Sequence, residues 1–126
     1  MHPNFPLAER RVVALKKDTP PLETPEIFEW LEWVPQWRLE KLQGVNQLVR
    51  FYEFADISSA IEFSKLITEM ADSANHHPVQ QVEGSLVTMR WWSHSIKGLH
   101  LNDFIMAARS DELYRNTDPT KCMTRY

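Results

Sequence analysis

Residues 59–94 read SAIEFSKLITEMADSANHHPVQQVEGSLVTMRWWSH, and a change of period within them decides the fold. From Ala60 the apolar residues Phe63, Ile67, Met70, Ala71 and Ala74 recur at intervals of three or four, the spacing of an amphipathic helix. Ser59-Ala60-Ile61-Glu62 has the form of a capping box at its start, with Asp56 a competing cap. The helix delivers the chain to Asn75-His76-His77-Pro78. Beyond the proline the period becomes two: residues 79–82 predict a short strand, Glu83-Gly84-Ser85 a turn or bulge, and residues 86–94 a second strand. On that second strand Leu86, Thr88, Arg90, Trp92 and His94 share one face, and Val87, Met89, Trp91 and Ser93 the other. Gly98 breaks it, and Asn102 or Asp103 opens a final helix with Phe104, Ile105 and Ala108 on its inner side.

Working outward, Thr24-Pro25-Glu26 supplies a cap, a proline at the first helical position and an acid in the first turn. Ile27, Phe28, Trp30, Leu31 and Val34 follow at helical spacing, and Pro35 ends the helix. Residues 37–42 alternate like a strand, Gly44-Val45-Asn46 supplies a turn, and residues 48–54 continue as its hairpin partner. Residues 1–24 carry Pro3, Pro6, Pro20 and Pro21 around the apolar patch Val12-Val13-Ala14-Leu15 and read as an irregular arm. Residues 25–118 then form one domain and residues 119–126 a tail. The order α-β-β-α-β-β-α predicts an α+β fold, a four-stranded antiparallel sheet with three helices packed on one face.

Composition bounds the function. A chain of 126 residues makes one domain, and its 43% hydrophobic and 25% charged residues are those of an ordinary globular protein. The longest apolar run, residues 104–108, is far short of the ~20 residues of a membrane span, and no apolar stretch near the start resembles a secretory signal. A net charge of -3 with dispersed Lys and Arg disfavours nucleic-acid binding. The lone Cys122 forms no internal disulfide, which points to a reducing, cytoplasmic setting.

The chemistry lies in the histidines. His76, His77 and His94, with Asp103 close behind, put three of the chain's five histidines and a carboxylate into one window. Imidazole both gives and takes a proton near neutral pH, so the cluster points to proton-transfer chemistry. A single histidine at a helix exit is explained by bonds to the last carbonyls. Two adjacent ones, the second restricted by Pro78, are harder to explain as caps, because neighbouring side chains diverge. Zinc is disfavoured: there is no His-x-x-x-His pair on a helix and no nearby cysteine. Ser93 and Ser95 flank His94 but sit in no nucleophile elbow. Asp103 alone is explained as an acid in a first helical turn, Trp91 and Trp92 as sheet packing, and the lone His2 and His100 are given no functional role.

Asp72, His76-His77-Pro78, His94, Gly98-Leu99 and Asp103 together resemble the signature of the pterin-4a-carbinolamine dehydratase family, over roughly residues 25 to 115. The resemblance implies the same α+β fold and loss of water from a 4a-hydroxytetrahydropterin, without a metal or organic cofactor. It implies His76 and His94 as an acid/base pair, His77 as a positioning residue and Asp103 as an orienting one. Asn75, Trp92, Ser93 and Ser95 would line the pterin site. It further implies a homodimer or homotetramer, to which the aromatic first helix (Phe28, Trp30, Trp33) would contribute, and a functional link to an aromatic amino acid hydroxylase. Departures fall at Gln80 and around Gly84, where aromatic residues are usual, and at Asn102, where a basic residue is frequent. A non-catalytic assembly or coactivator protein on the same fold is the alternative, and such proteins are expected to lose histidines that this chain keeps.

Overall fold

The computed structural model describes residues 6–123, so His2 lies outside the described residues. Three α-helices, α1 (Thr24–Leu31), α2 (Ile57–Ala74) and α3 (Leu101–Arg115), alternate with two hairpins, β1 (Arg38–Leu42) with β2 (Val45–Glu53) and β3 (Val79–Glu83) with β4 (Leu86–Trp91). The four strands form one antiparallel sheet in the order β1-β2-β4-β3, which is the α+β architecture the periodicities predict. Register sets the inner face: Leu48 pairs with Trp91, Arg50 with Met89 and Tyr52 with Val87. Leu48, Tyr52, Val87, Met89 and Trp91 are buried there with Phe63, Ile67 and Ala71 of α2 and Phe104 and Ile105 of α3 in one core.

Both hairpins turn over two residues. Gln43 and Gly44 have φ of 51° and 81°, the pattern of a type I′ turn, so the turn lies one residue earlier than Gly44-Val45-Asn46. At the second hairpin only Gly84 is positive, with φ 61°, as in a type II′ turn.

Helix boundaries shift by local capping. α1 is capped by Glu23, whose side chain pairs reciprocally with Glu26, and it stops at Leu31, so Pro35 follows the helix rather than ending it. Trp33 therefore sits in a turn. Trp30 and Trp33 pack against the core, and Phe28 is the one of the three aromatic residues left exposed, at 55%. For α2, Asp56 accepts from Ser59 N at 2.8 Å and the Ser59 box does not form, because Ser59 already lies inside the first turn.

Two differences govern the site. β4 ends at Trp91, where its pairing with β2 and β3 runs out, so His94 is not a strand residue. Beyond it Ser93 bridges Gly98 and encloses a turn of 3-10 helix, His94–Ile96, closed by Lys97 in the left-handed region. Gly98 has no room for a side chain: a Cβ there would stand 2.6 Å from Pro21 Cβ. The second difference is α3, which opens at His100 and is buried on several sides, from Asn102 through Ala107 and again at Ser110 and Asp111. The N-terminal segment covers it: Leu7 is buried in the core, and Arg109 donates to Ala8 O at 3.0 Å and to Arg10 O at 2.6 Å. That cover is why Ala108, expected to face inward, is no more buried than residues on the helix's other sides.

Candidate active site

The C-terminus of α2 aims the adjacent histidines. Asn75 adopts the left-handed conformation (φ 53°, ψ 43°), which Asn tolerates better than most residues, and His76 N–H returns to Ala71 O. The chain thus turns sharply as it reaches His76. Its imidazole Nε2 lies 2.7 Å from Asp103 Oδ1, and its ring lies parallel to the Trp91 indole, 5.8 Å between centroids. Trp91 is itself fixed by its Nε1–H donating to Ser110 Oγ.

Asp103 is fully buried and meets three donors: His76, Ser93 Oγ at 2.8 Å and His100 N at 2.9 Å. A buried carboxylate needs such partners. His76 thus turns Nε2 to the carboxylate, a group that accepts hydrogen bonds, and leaves Nδ1 outside that contact. His77 swings the other way. Its Nε2 lies 2.8 Å from Asp72 Oδ1 on an exposed surface, where the pair orients the ring and adds little stability.

His94 differs from both. Its imidazole makes no hydrogen bond to another described residue, and the ring stacks on Trp92 with centroids 4.2 Å apart. Partial burial pulls its imidazole below the ordinary value of 6.5, repulsion by His76 adds to this, Asp103 opposes it and His77 contributes last. His94 is therefore held neutral at neutral pH. His100 is structural: its Nδ1 accepts from Asn102 N at 3.0 Å and caps α3.

These groups meet at a cavity of about 500 Å³ lined by Asn75, His76, His77, Ser93, His94 and Ser95. Trp92 stands behind His94 rather than in the lining, and Asp103 acts through His76 and Ser93. Three parts of the wall carry no local sign in the sequence: Ala74, Asn102 and residues 12–15 of the N-terminal arm. A second cavity, of about 630 Å³, has no histidine, and its polar centre at Arg50 and Asp111 is committed to an internal ion pair. Among the described residues no group of three or more His, Cys, Asp or Glu is placed to hold a metal ion. No helix among them is long and apolar enough to cross a membrane.

Fold and site together define a class: a small α+β protein that brings three histidines and a buried aspartate to one ligand-sized pocket. The family model described as pterin 4 alpha carbinolamine dehydratase matches residues 20–113, and the chain belongs to that family. It is also similar to a solved structure from Brucella melitensis described as a transcriptional coactivator/pterin dehydratase. The two are 26% identical with a TM-score of 0.67, over 75% of this chain and 98% of that one.

Proposed function

We propose that this protein removes water from a 4a-hydroxytetrahydropterin to give the quinonoid dihydropterin, with His76 as acid and His94 as base. The observation that carries the reading is the asymmetry of the two imidazoles in one pocket: His76 is backed by the Asp103 carboxylate at 2.7 Å, and His94 is unpartnered by hydrogen bonds and held neutral. A carboxylate beside an imidazole orients the ring and stabilises its protonated form, the form that an acid needs.

The step then balances. His76 gives its Nδ1 proton to the hydroxyl on C4a as the C4a–O bond breaks and water leaves. His94 takes the proton from N5, and the N–H electron pair becomes the second bond between C4a and N5. Proton return from His94 to His76 through solvent resets the pair. His77 and the polar groups of Asn75, Ser93 and Ser95 position the ring, and Trp92 holds His94 in its stacked orientation.

The quinonoid product suits recycling after an aromatic amino acid hydroxylase. Exposed Phe28, Ile57 and Ile61, together with the open edges of β1 and β3, support self-association as a dimer or tetramer. The name of the Brucella protein also carries a coactivator role, and a non-catalytic binding protein is the competing reading. The complete set of His76, His77, His94 and Asp103 favours catalysis, because a binding surface has no need of a paired acid and base.

The deciding experiment follows breakdown of freshly generated 4a-hydroxytetrahydropterin by ultraviolet absorbance, with the parent beside the His76→Ala/His94→Ala double variant. Acceleration by the parent and its loss in the folded double variant support the dehydratase. Equal rates with parent, double variant and buffer overturn it.

A further inference from the structure

The N-terminal segment carries a second reading of the same pocket. Residues 11–16 belong to no helix or strand, and four in a row, Val12, Val13, Ala14 and Leu15, line the cavity that holds His76 and His94. The matched family span starts at residue 20, so this wall lies outside it. One side chain pins it. Val13 N–H donates to Asn102 Oδ1 at 3.0 Å, and Asn102 Nδ2 donates back to Val13 O at 2.7 Å. Asn102 is only 2% exposed, so the clamp is rooted in the first turn of α3. A primary amide serves both groups, whereas Lys and Arg donate without accepting and an ionised carboxylate accepts without donating. Asn102 thus stands in for a neighbouring strand.

In an extended chain successive residues turn their N–H and C=O groups to opposite sides. Val13 turns both its N–H and its C=O to Asn102, as an extended residue does, so across the trans peptide bonds Val12 C=O and Ala14 N–H point away from the clamp, and neither bonds another described residue. These two groups leave a short main-chain edge open on that side, the kind of surface that takes up further amide groups. A pterin has such an edge, with its ring N–H, carbonyl and amino group in a row. From Val12 to Leu15 the backbone runs about 10 Å, enough to follow a bicyclic ring.

We propose that residues 12–15 form the substrate-selecting wall of this pocket: main-chain groups of Val12 and Ala14 bond the amide edge of the pterin, and Asn102 is the positioning residue that keeps them there. The inference rests on the dehydratase reading and deepens it, assigning the unreactive edge of the ring to the arm and C4a and N5 to the histidines.

The test uses the full chain with two variants. Val13→Pro removes the N–H half of the clamp at a residue 48% exposed, where no core is disturbed. Asn102→Asp removes the donor half. In both, KM for 4a-hydroxytetrahydropterin and the inhibition constant of an unreactive 7,8-dihydropterin rise roughly tenfold, while kcat falls less than about threefold. A merely structural arm would lower the melting temperature and leave both constants unmoved. If Asn102→Asp fails to fold, Val13→Pro decides alone. Parental KM and inhibition constants in a folded Val13→Pro overturn this inference while leaving the dehydratase standing. A parent that neither binds dihydropterin nor accelerates dehydration overturns both.

Discussion

Asn102 and Asp103 are consecutive residues in the first turn of α3, yet they hold different walls of one pocket: Asn102 clamps Val13 of the arm, and Asp103 holds His76 and Ser93. Both are buried, at 2% and 0% exposure, and the turn that carries them is itself fixed by the reciprocal cap between His100 and Asp103. Both walls are thereby anchored to a single turn of helix, which on the proposed function favours a preorganised site over one assembled by closure.

Asp103→Asn separates orientation from charge. The amide keeps the shape but offers an N–H where one donor needs an acceptor, and it no longer supports positive charge on His76. The expected result is a loss in kcat of about 100-fold or more with a smaller change in KM. One mismatched buried donor also costs about 1–3 kcal/mol of stability. Steady-state kinetics beside a melting curve checks both, and an unchanged kcat would remove Asp103 from the mechanism.

The rate should fall on the acid side as His94 takes up the proton that it must lack to act as base. Because burial and His76 lower its pKa, the acid limb of kcat/KM has its midpoint below 6.5. Trp92→Ala opens that ring face to water, which weakens the desolvation and moves the limb upward. A pH profile of parent and variant reads the shift directly, and a limb at the same pH in both would show that the stacking does not tune His94.

Stability should respond to the same protons at another residue. His94 and His100 both have lowered pKa values, chiefly through burial, so between those values and 6.5 the unfolded chain binds more protons than the folded one. Stability therefore rises with pH through that window and is lost as pH falls through it, levelling off once the folded imidazoles also charge. Protonating His100 also removes the acceptor for Asn102 N. His100→Ala is expected to cost about 1 kcal/mol at neutral pH as a lost cap. His100→Asn keeps a capping acceptor that does not titrate, so its urea midpoint should vary less than the parent's between about pH 7.5 and about pH 5.5.

What the sequence made legible was whatever is local. The 3.6-residue period of α2, the Gly44 and Gly84 turns and the His-His-Pro exit are patterns within a few residues, and they led to the right sheet and to histidines that the fold brings to one cavity. Where the chain answers to distant partners the reading failed. His94 leaves the strand because its neighbours' register ends at Trp91, which no alternation reveals. The clamp joins residues 89 apart in sequence, and Asn102 on its own reads as a cap. The wide burial of α3 likewise depends on an arm whose own composition reads as irregular.

The last prediction concerns a buried acid that resembles a site and is structural. Asp111 accepts from Tyr52 OH at 2.6 Å, Arg50 Nη1 at 2.6 Å and Trp37 Nε1 at 3.0 Å, joining β2, α3 and the turn after α1. Burial, reinforced by this carboxylate, pushes the Tyr52 phenol well above its ordinary range, so the hydroxyl stays a donor at every pH of interest. Both oxygens of Asp111 are spent inside the network. Asp111→Ala would leave a guanidinium, a phenol and an indole N–H without their acceptor, at a cost of about 3–5 kcal/mol. Since none of these side chains bonds a histidine of the pocket, the molecules that still fold should keep parental KM and the parental pH profile. Denaturant unfolding beside kinetics below the melting transition tests both halves. A stable variant with altered KM would mean that Asp111 serves the pocket after all, through α3.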